Sequence, residues 1–132
     1  MKSLRSHFLK EIDLESSGEV LKRFPDFDFY KLGNIQKLVL EFSESEIDSS
    51  VVIKLSLEMS YPALNPSSMI HMQLEGISEL ELGAVKSGYG FSELELSDLR
   101  SAMLEGVRYE LRDCGPDGYF VCQCSKLTIS IA

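Results

Sequence analysis

The stretch VRYELRDCGPDGYFVCQC, residues 107–124, predicts a β-hairpin and decides the fold class of the chain. Apolar and polar side chains alternate over its first six residues, which is the period of a strand with one buried face. The tetrapeptide GPDG that follows carries proline and glycine where a tight turn uses them. A four-residue loop there pairs Leu111 with Cys122 and Tyr109 with Cys124.

All three cysteines of the chain lie in this hairpin. The predicted register places Cys122 and Cys124 on the apolar face and Cys114 on the other. A zinc site needs four ligands, or three and a water, and the histidines, His7 and His71, are distant in sequence. Buried unpaired cysteines pack as small hydrophobic residues. We therefore expect core packing, with no metal site and no cofactor.

Beyond Cys124 the apolar positions change from even to odd numbers, because Leu127, Ile129 and Ile131 continue the strand. One residue near Ser125 or Lys126 must be absorbed, and a β-bulge in this strand would do so.

The same two-residue period appears in several segments upstream, of which VVIKLSLEMS, residues 51–60, is the clearest strand. Leu4, Phe8 and Ile12 follow a helical spacing instead. Residues 97–106 fit a short helix or an irregular strand, and we favour the strand. Two packed or strongly curved sheets would bury the odd-numbered side chains of 51–59 and 107–111 and the even-numbered ones of 38–42, 70–74, 80–82 and 94–96.

The predicted fold is mainly β (β-rich α+β), an antiparallel sandwich or curved sheet with a short N-terminal helical segment. The length of 132 residues suits a single domain, with the helical segment at 1–24 and the antiparallel β domain at 25–132.

The charge balance points away from several classes of partner. The formal net charge of −8 disfavours nucleic acid, whose phosphates would be repelled, and favours a basic protein partner. No apolar run is long enough to span a membrane, and the N-terminus lacks the apolar core of a secretory signal. With an odd number of cysteines, we expect a cytoplasmic protein with reduced thiols.

No catalytic signature stands out in the sequence. The nucleophile elbow, the P-loop and the dinucleotide fingerprint are all absent. We therefore expect no enzyme. An unrecognised activity is kept as an alternative, and a cleft joining His71 to carboxylates would favour it.

A short internal repeat carries the feature on which a function can be proposed. GISELEL at 76–82 and GFSELEL at 90–96 differ at one position. If both copies are neighbouring strands, their glutamates crowd together on a solvent-exposed face. Like charges across strands are destabilising, so tolerating them suggests a docking surface for a basic partner. The alternative is that these charges only prevent aggregation at a sheet edge. The candidate partner-binding residues are Glu79, Glu81, Glu93, Glu95 and Asp98.

Residues 24–131 resemble small bacterial β-rich proteins regarded as immunity-protein-like. The resemblance rests on the "EG" step before LEL at 75–82, on GFSELEL, and on LEGVRYELRD leading into FVCQCSKLTI. At 24–30, FPDFDFY stands where members of the family often carry a histidine step. The resemblance implies an interaction protein and supplies no catalytic residue. The function we expect is a cytoplasmic protein-binding module, which as an immunity protein would neutralise a toxin by covering its basic active site.

Three further possibilities remain open at this stage. One is a small β-barrel that encloses an apolar ligand, for which an empty cavity of several hundred Å³ would be the sign. Another is an uncharacterised structural protein. A homodimer is compatible with each of these functions.

Overall fold

The computed structural model describes residues 5–62, 68–83, 90–100, 106–115 and 119–132. Seven strands are present in this part of the chain, with an α-helix and three short 3-10 turns before the second strand. The strands are β1 (Arg5–Ser6), β2 (Ile35–Glu44), β3 (Val51–Ser60), β4 (Met69–Leu82), β5 (Leu94–Asp98), β6 (Tyr109–Asp113) and β7 (Phe120–Ile131), and the helix α1 is Gly18–Arg23.

The strands form one antiparallel sheet in the order β1-β5-β6-β7-β4-β3-β2. An isolated bridge joins Asn34, just before β2, to Gly90, ahead of β5, although those two strands lie far apart in this order. The sheet therefore curves strongly around its core. The mainly β fold with a short helical segment is confirmed, as a curved sheet rather than a sandwich.

The hairpin register is confirmed. Leu111 pairs with Cys122 and Tyr109 pairs with Cys124, and all four side chains are buried. The turn residues 116–118 lie outside the described residues. Alternation within each strand and a fixed loop length leave only this register with every apolar side chain inward.

The N-terminal segment is less helical than its spacing predicts. Residues 5 and 6 pair with the edge strand β5, and 3-10 turns follow at Leu9–Glu11 and Glu15–Ser17. Among the described residues of this segment, only Gly18–Arg23 is α-helical. Pairing with a sheet edge outweighs a weak helical pattern that has no capping side chain. The ambiguous segment 97–106 is strand as far as Asp98, and 101–105 lie outside the described residues.

The N-terminal segment, taken as residues 5–34 ahead of β2, covers one face of the sheet, which we call the covered face. Leu9, Ile12, Val20, Phe27 and Phe29 are each at most 1% exposed and join one hydrophobic cluster with the sheet. The opposite face, the open face, carries the polar side chains of the strands.

The buried positions of β7 do change from even to odd numbers after Cys124, but the bulge lies in β4, the strand that pairs with β7 there. The ladder runs without a break from Glu75–Lys126 to Ile77–Cys124, and the extra residue follows Ile77 in β4. Gly76, opposite Ser125, has a φ of +63°, a left-handed conformation that turns β4 together with β7. The prediction of a bulge in β7 was therefore wrong in placing it.

Replacing Gly76 by alanine is expected to lower the free energy of unfolding by about 2 kcal/mol. The left-handed backbone would be strained, and the new Cβ would lie 2.1 Å from Ser125 Oγ unless that side chain rotates. Urea unfolding measures the loss. Gly18→Ala is the control, because nothing lies within 4 Å and the helical backbone favours alanine. Equal stability of the two variants would contradict the argument.

Candidate protein-binding surface

The two repeat copies are not neighbours. One copy ends β4 and the other enters β5, and the order of the sheet places β6 and β7 between these strands. The predicted crowding of four glutamates is therefore wrong. β4 and β5 are therefore not the two strands of a hairpin, and the later β6–β7 hairpin lies between them. On the open face, Arg112 of β6 and Val121 of β7 lie between Glu95 and Glu81.

Glu95 is bound within the protein. Its carboxylate accepts a hydrogen bond from Arg5 Nε at 2.7 Å and another from the Tyr30 hydroxyl. Burial alone would raise the pKa of Glu95, but the hydrogen bonds from Tyr30 and Arg5 outweigh it and hold this pKa below its ordinary value. The same hydrogen bond to Glu95 raises the pKa of Tyr30 to about 12. Glu95 thus fastens the N-terminal segment to β5.

Asp98 is also engaged, and only 7% of it is exposed. It accepts from the backbone N–H of Arg100 at 3.0 Å and from the Arg100 guanidinium at 2.6 Å. Burial opposes ionisation of Asp98, yet these bonds keep its pKa below the usual range. The same Nη2 of Arg100 also donates to Asp13 at 2.7 Å. Asp98 is therefore occupied by contacts within the chain.

The other three predicted residues, Glu79, Glu81 and Glu93, are exposed. Glu81 accepts a hydrogen bond from the Tyr119 hydroxyl at 3.1 Å. Glu93 lies ahead of β5, at the far side of the sheet from Glu79. A role in partner binding stays a prediction for these three.

The cysteines of the hairpin are core residues. Cys122 and Cys124 are 0% exposed, and the contact with the Cys124 thiol, together with burial, raises the pKa of Cys122. Cys114 is on the open face, as predicted, where Arg5 Nη2 lies 2.7 Å from its sulfur. Within the described ranges, no three His, Cys, Asp or Glu side chains are grouped to hold a metal ion.

The histidines lie in different settings. His7 stands beside β1, where its ring stacks on Tyr30 at 3.9 Å and its Nδ1 lies 2.7 Å from Asp28. His71, on the open face of β4, lines a groove of about 330 Å³ with Glu58 and Glu41. No hydrogen bond joins His71 to a carboxylate in the described part of the chain. The enzyme alternative therefore has a groove at His71. In the described part of the chain, however, His71 is not hydrogen-bonded to a nucleophile.

The clearest candidate surface lies at the β2–β3 hairpin, where the N-terminal segment no longer packs on the covered face. Of the seven large hydrophobic residues that are exposed among the described ones, five belong to the β2–β3 hairpin. Phe42 is 64% exposed, although its strand parity predicts burial. The five are Leu40, Phe42, Ile47, Val51 and Val52.

Two of the five, Leu40 and Phe42, border a shallow groove of about 300 Å³ on the covered side. Leu40, Phe42 and Ile53 form one wall, and Ile77 and Leu80 of β4 form the floor. The groove lies on the surface between partly exposed side chains, so it differs from the enclosed cavity that a barrel for an apolar ligand would have. Exposed apolar patches of this kind in soluble proteins commonly mark interaction sites.

The tip of the hairpin that borders this groove is acidic. Residues 42–50 contain Glu44, Glu46 and Asp48 and no lysine or arginine. Glu79, one of the predicted residues, lines the groove itself. We call the groove with the hairpin tip at residues 42–51 the apolar–acidic surface.

Sequence reasoning missed this surface. The alternation in β2 and β3 gives the side on which Phe42 lies, but burial depends on where the N-terminal segment ends its path across the sheet. A signal was present, because SESEIDSS at 43–50 is an acidic turn flanked by apolar residues and carries no basic residue.

Comparison of the chain with models of protein families, with curated proteins and with solved structures found no match. No helix among the described residues has the length and apolar character needed to cross a membrane.

Proposed function

We propose that this chain is a protein-binding module and that it docks a basic protein partner on the apolar–acidic surface. The observation that carries the proposal is the exposure of Phe42 at a groove that Glu79 also lines, beside the acidic tip of the hairpin. An apolar centre supplies affinity once water is excluded, and a charged rim speeds association with a partner of opposite sign. Phe42 and its apolar neighbours meet the first requirement, and the carboxylates at 44–48 and at Glu79 meet the second for a basic partner.

The resemblance of residues 24–131 to immunity-protein-like proteins supports a more specific partner. We infer that it is a toxin domain, whose phosphate-binding surface would be basic if it acts on nucleic acid. Binding through the apolar–acidic surface would cover that basic region and exclude its substrate. This partner and a cytoplasmic location are parts of the proposal.

Phe42→Asp is expected to weaken binding of the partner by about thirtyfold, because a carboxylate would have to be buried in an apolar contact. The probe is an inactivated basic toxin domain encoded beside this chain, titrated by isothermal calorimetry. Val52→Asp is the control, since Val52 is 40% exposed on the opposite face of the same hairpin. We expect its affinity to stay within about threefold of the original.

The acidic rim is tested with the same probe by stopped-flow kinetics, on a variant with Glu44→Lys, Glu46→Lys and Asp48→Lys combined. Its association rate should fall about tenfold at low salt and approach the unmodified rate at high salt, because screening removes the attraction. Glu19→Lys, an exposed reversal on α1, serves as the control. Unchanged binding by Phe42→Asp and the triple variant would refute the proposal, as would a genome in which no toxin-like reading frame neighbours this one.

A further inference from the structure

The outer edge of β2 is an unused hydrogen-bonding edge. Within the described residues, β2 pairs with β3 alone and is the last strand in the order of the sheet. The register of β2 shifts between Ile35 and Lys37, but from Leu38 to Glu44 its ladder with β3 is regular and the stretch contains no proline. Native proteins usually cover or disrupt an edge of this length, since it invites pairing with another strand.

The pattern of the hairpin shows which backbone groups are free to pair. Ser45 N donates to Ser50 O at 2.7 Å, so these two residues form a hydrogen-bonded pair at the turn. Pairs alternate along an antiparallel ladder, so Glu41–Lys54 and Val39–Ser56 also bond to each other. The N–H and C=O groups that point away from β3 therefore belong to the residues between them, Leu38, Leu40 and Phe42.

We propose that a second copy of this chain pairs with this edge, antiparallel, about a two-fold axis at Val39. Two outward-pointing residues must meet in each hydrogen-bonded pair, which restricts the register to a few choices. An axis at Val39 sets Leu38 against Leu40 of the other copy and Lys37 against Glu41. An axis at Glu41 would set that carboxylate against itself.

Charge selects the register at Val39. In that register Lys37 of each copy lies opposite Glu41 of the other, at a non-hydrogen-bonded position where side chains approach most closely. Registers centred on Leu38 or Leu40 leave both charges facing uncharged side chains. The sequence around Val39 is thus complementary to itself in one arrangement.

The charges on the open face extend this complementarity. Lys126, Glu75, Lys54 and Glu41 lie side by side across four strands and alternate in sign. In the proposed dimer the next residue in that row is the second copy's Lys37, followed by its Glu58. The alternation therefore continues without a break from one chain into the next.

The dimer leaves the hairpin tip of the apolar–acidic surface accessible. The bridge between Asn34 and Gly90 and the register shift between Ile35 and Lys37 lie just ahead of the free edge, so pairing extends over residues 37–41. The hairpin tips at 43–50 lie beyond that stretch and point in opposite directions. Leu40 belongs both to the groove and to the paired stretch, whereas Phe42 and the acidic tip lie outside the paired stretch.

The test is complementation between two charge-reversed chains, with mass measured by light scattering and sedimentation over a concentration series. In a dimer of two Lys37→Glu chains, glutamate would lie opposite glutamate at both contacts. In a dimer of two Glu41→Lys chains, lysine would lie opposite lysine at both. Each should raise the dimer dissociation constant about tenfold or more. When the two variants are mixed, both contacts pair opposite charges again, and the mixture should form a dimer with one chain of each kind.

Glu44→Lys is the matched control, because Glu44 is an exposed charge on β2 outside the pairing stretch, and it should dimerise like the unmodified chain. Circular dichroism melts confirm that each variant is folded. A single-chain mass of the unmodified protein at every concentration would overturn the proposal. Undiminished dimerisation of both single variants, or a mixture that remains monomeric, would overturn it equally.

Discussion

Phe27→Ala is expected to lower the free energy of unfolding by about 4 kcal/mol. Phe27 is 0% exposed, its ring stacks on Tyr61 with centroids 4.6 Å apart, and it meets Phe29 edge-on at 5.3 Å. Truncation would leave a cavity between the N-terminal segment and the sheet, where three aromatic rings now pack. Equilibrium unfolding in urea measures the change.

Phe42→Ala is the matched control for this truncation, because it removes the same atoms from a ring that is 64% exposed. We expect its stability to stay within about 0.5 kcal/mol of the original. A loss at Phe27 below about 1 kcal/mol would mean that the N-terminal segment does not depend on this packing. A large loss at Phe42 would show that the exposed ring serves the fold and not a partner.

Asp113→Ala should cost about 3 kcal/mol, through unsatisfied hydrogen-bond donors rather than a cavity. The Asp113 carboxylate, at the end of β6, is 7% exposed. It accepts from the backbone N–H of Gly115 at 2.9 Å, of Glu93 at 3.1 Å and of Ser92 at 3.2 Å. Alanine would leave these three N–H groups without their acceptor. Asp26→Ala, at a site where 84% of the side chain is exposed, should cost little by comparison.

The pH dependence of the free energy of unfolding provides a second test of Asp113. Burial works against the Asp113 charge, but the backbone N–H groups of Gly115, Glu93 and Ser92 outweigh it and place its pKa below the ordinary value. A carboxylate with a lowered folded-state pKa stabilises the protein fully above its unfolded pKa of about 3.9 and less as the pH falls below it. The advantage of the unmodified chain over Asp113→Asn should therefore shrink below about pH 4. A difference that stays constant with pH would contradict this assignment.

The sequence predicts the parts of this structure that depend on local patterns. The pairing of Leu111 with Cys122 follows from alternation and turn length alone, and both can be read within eighteen residues. The positions of Glu79 and Glu95 relative to each other cannot, because they depend on β6 and β7 inserting between two strands that are closer in the chain. A repeat predicts on which face of its strand a glutamate lies, but it does not predict which strands lie beside that strand in the sheet.

The candidate site depends even more on distant residues. Glu95 is held by Arg5 and Tyr30, which are 90 and 65 residues away in the chain. No period or spacing connects such positions. Phe42 was expected inward from its parity, and its exposure follows from the path of a segment that begins some thirty residues earlier.

The central place of β7 in the sheet bears on how the protein is made. β7 leaves the ribosome after the other six described strands, yet it is the only one of them that joins β4 to β6. Without β7 no ladder joins β2, β3 and β4 to β1, β5 and β6, so β4 and β6 would each carry an unpaired edge. The nascent chain must therefore keep two incomplete sheets apart from foreign strands, and the core can close only after synthesis of residues 120–131 is finished.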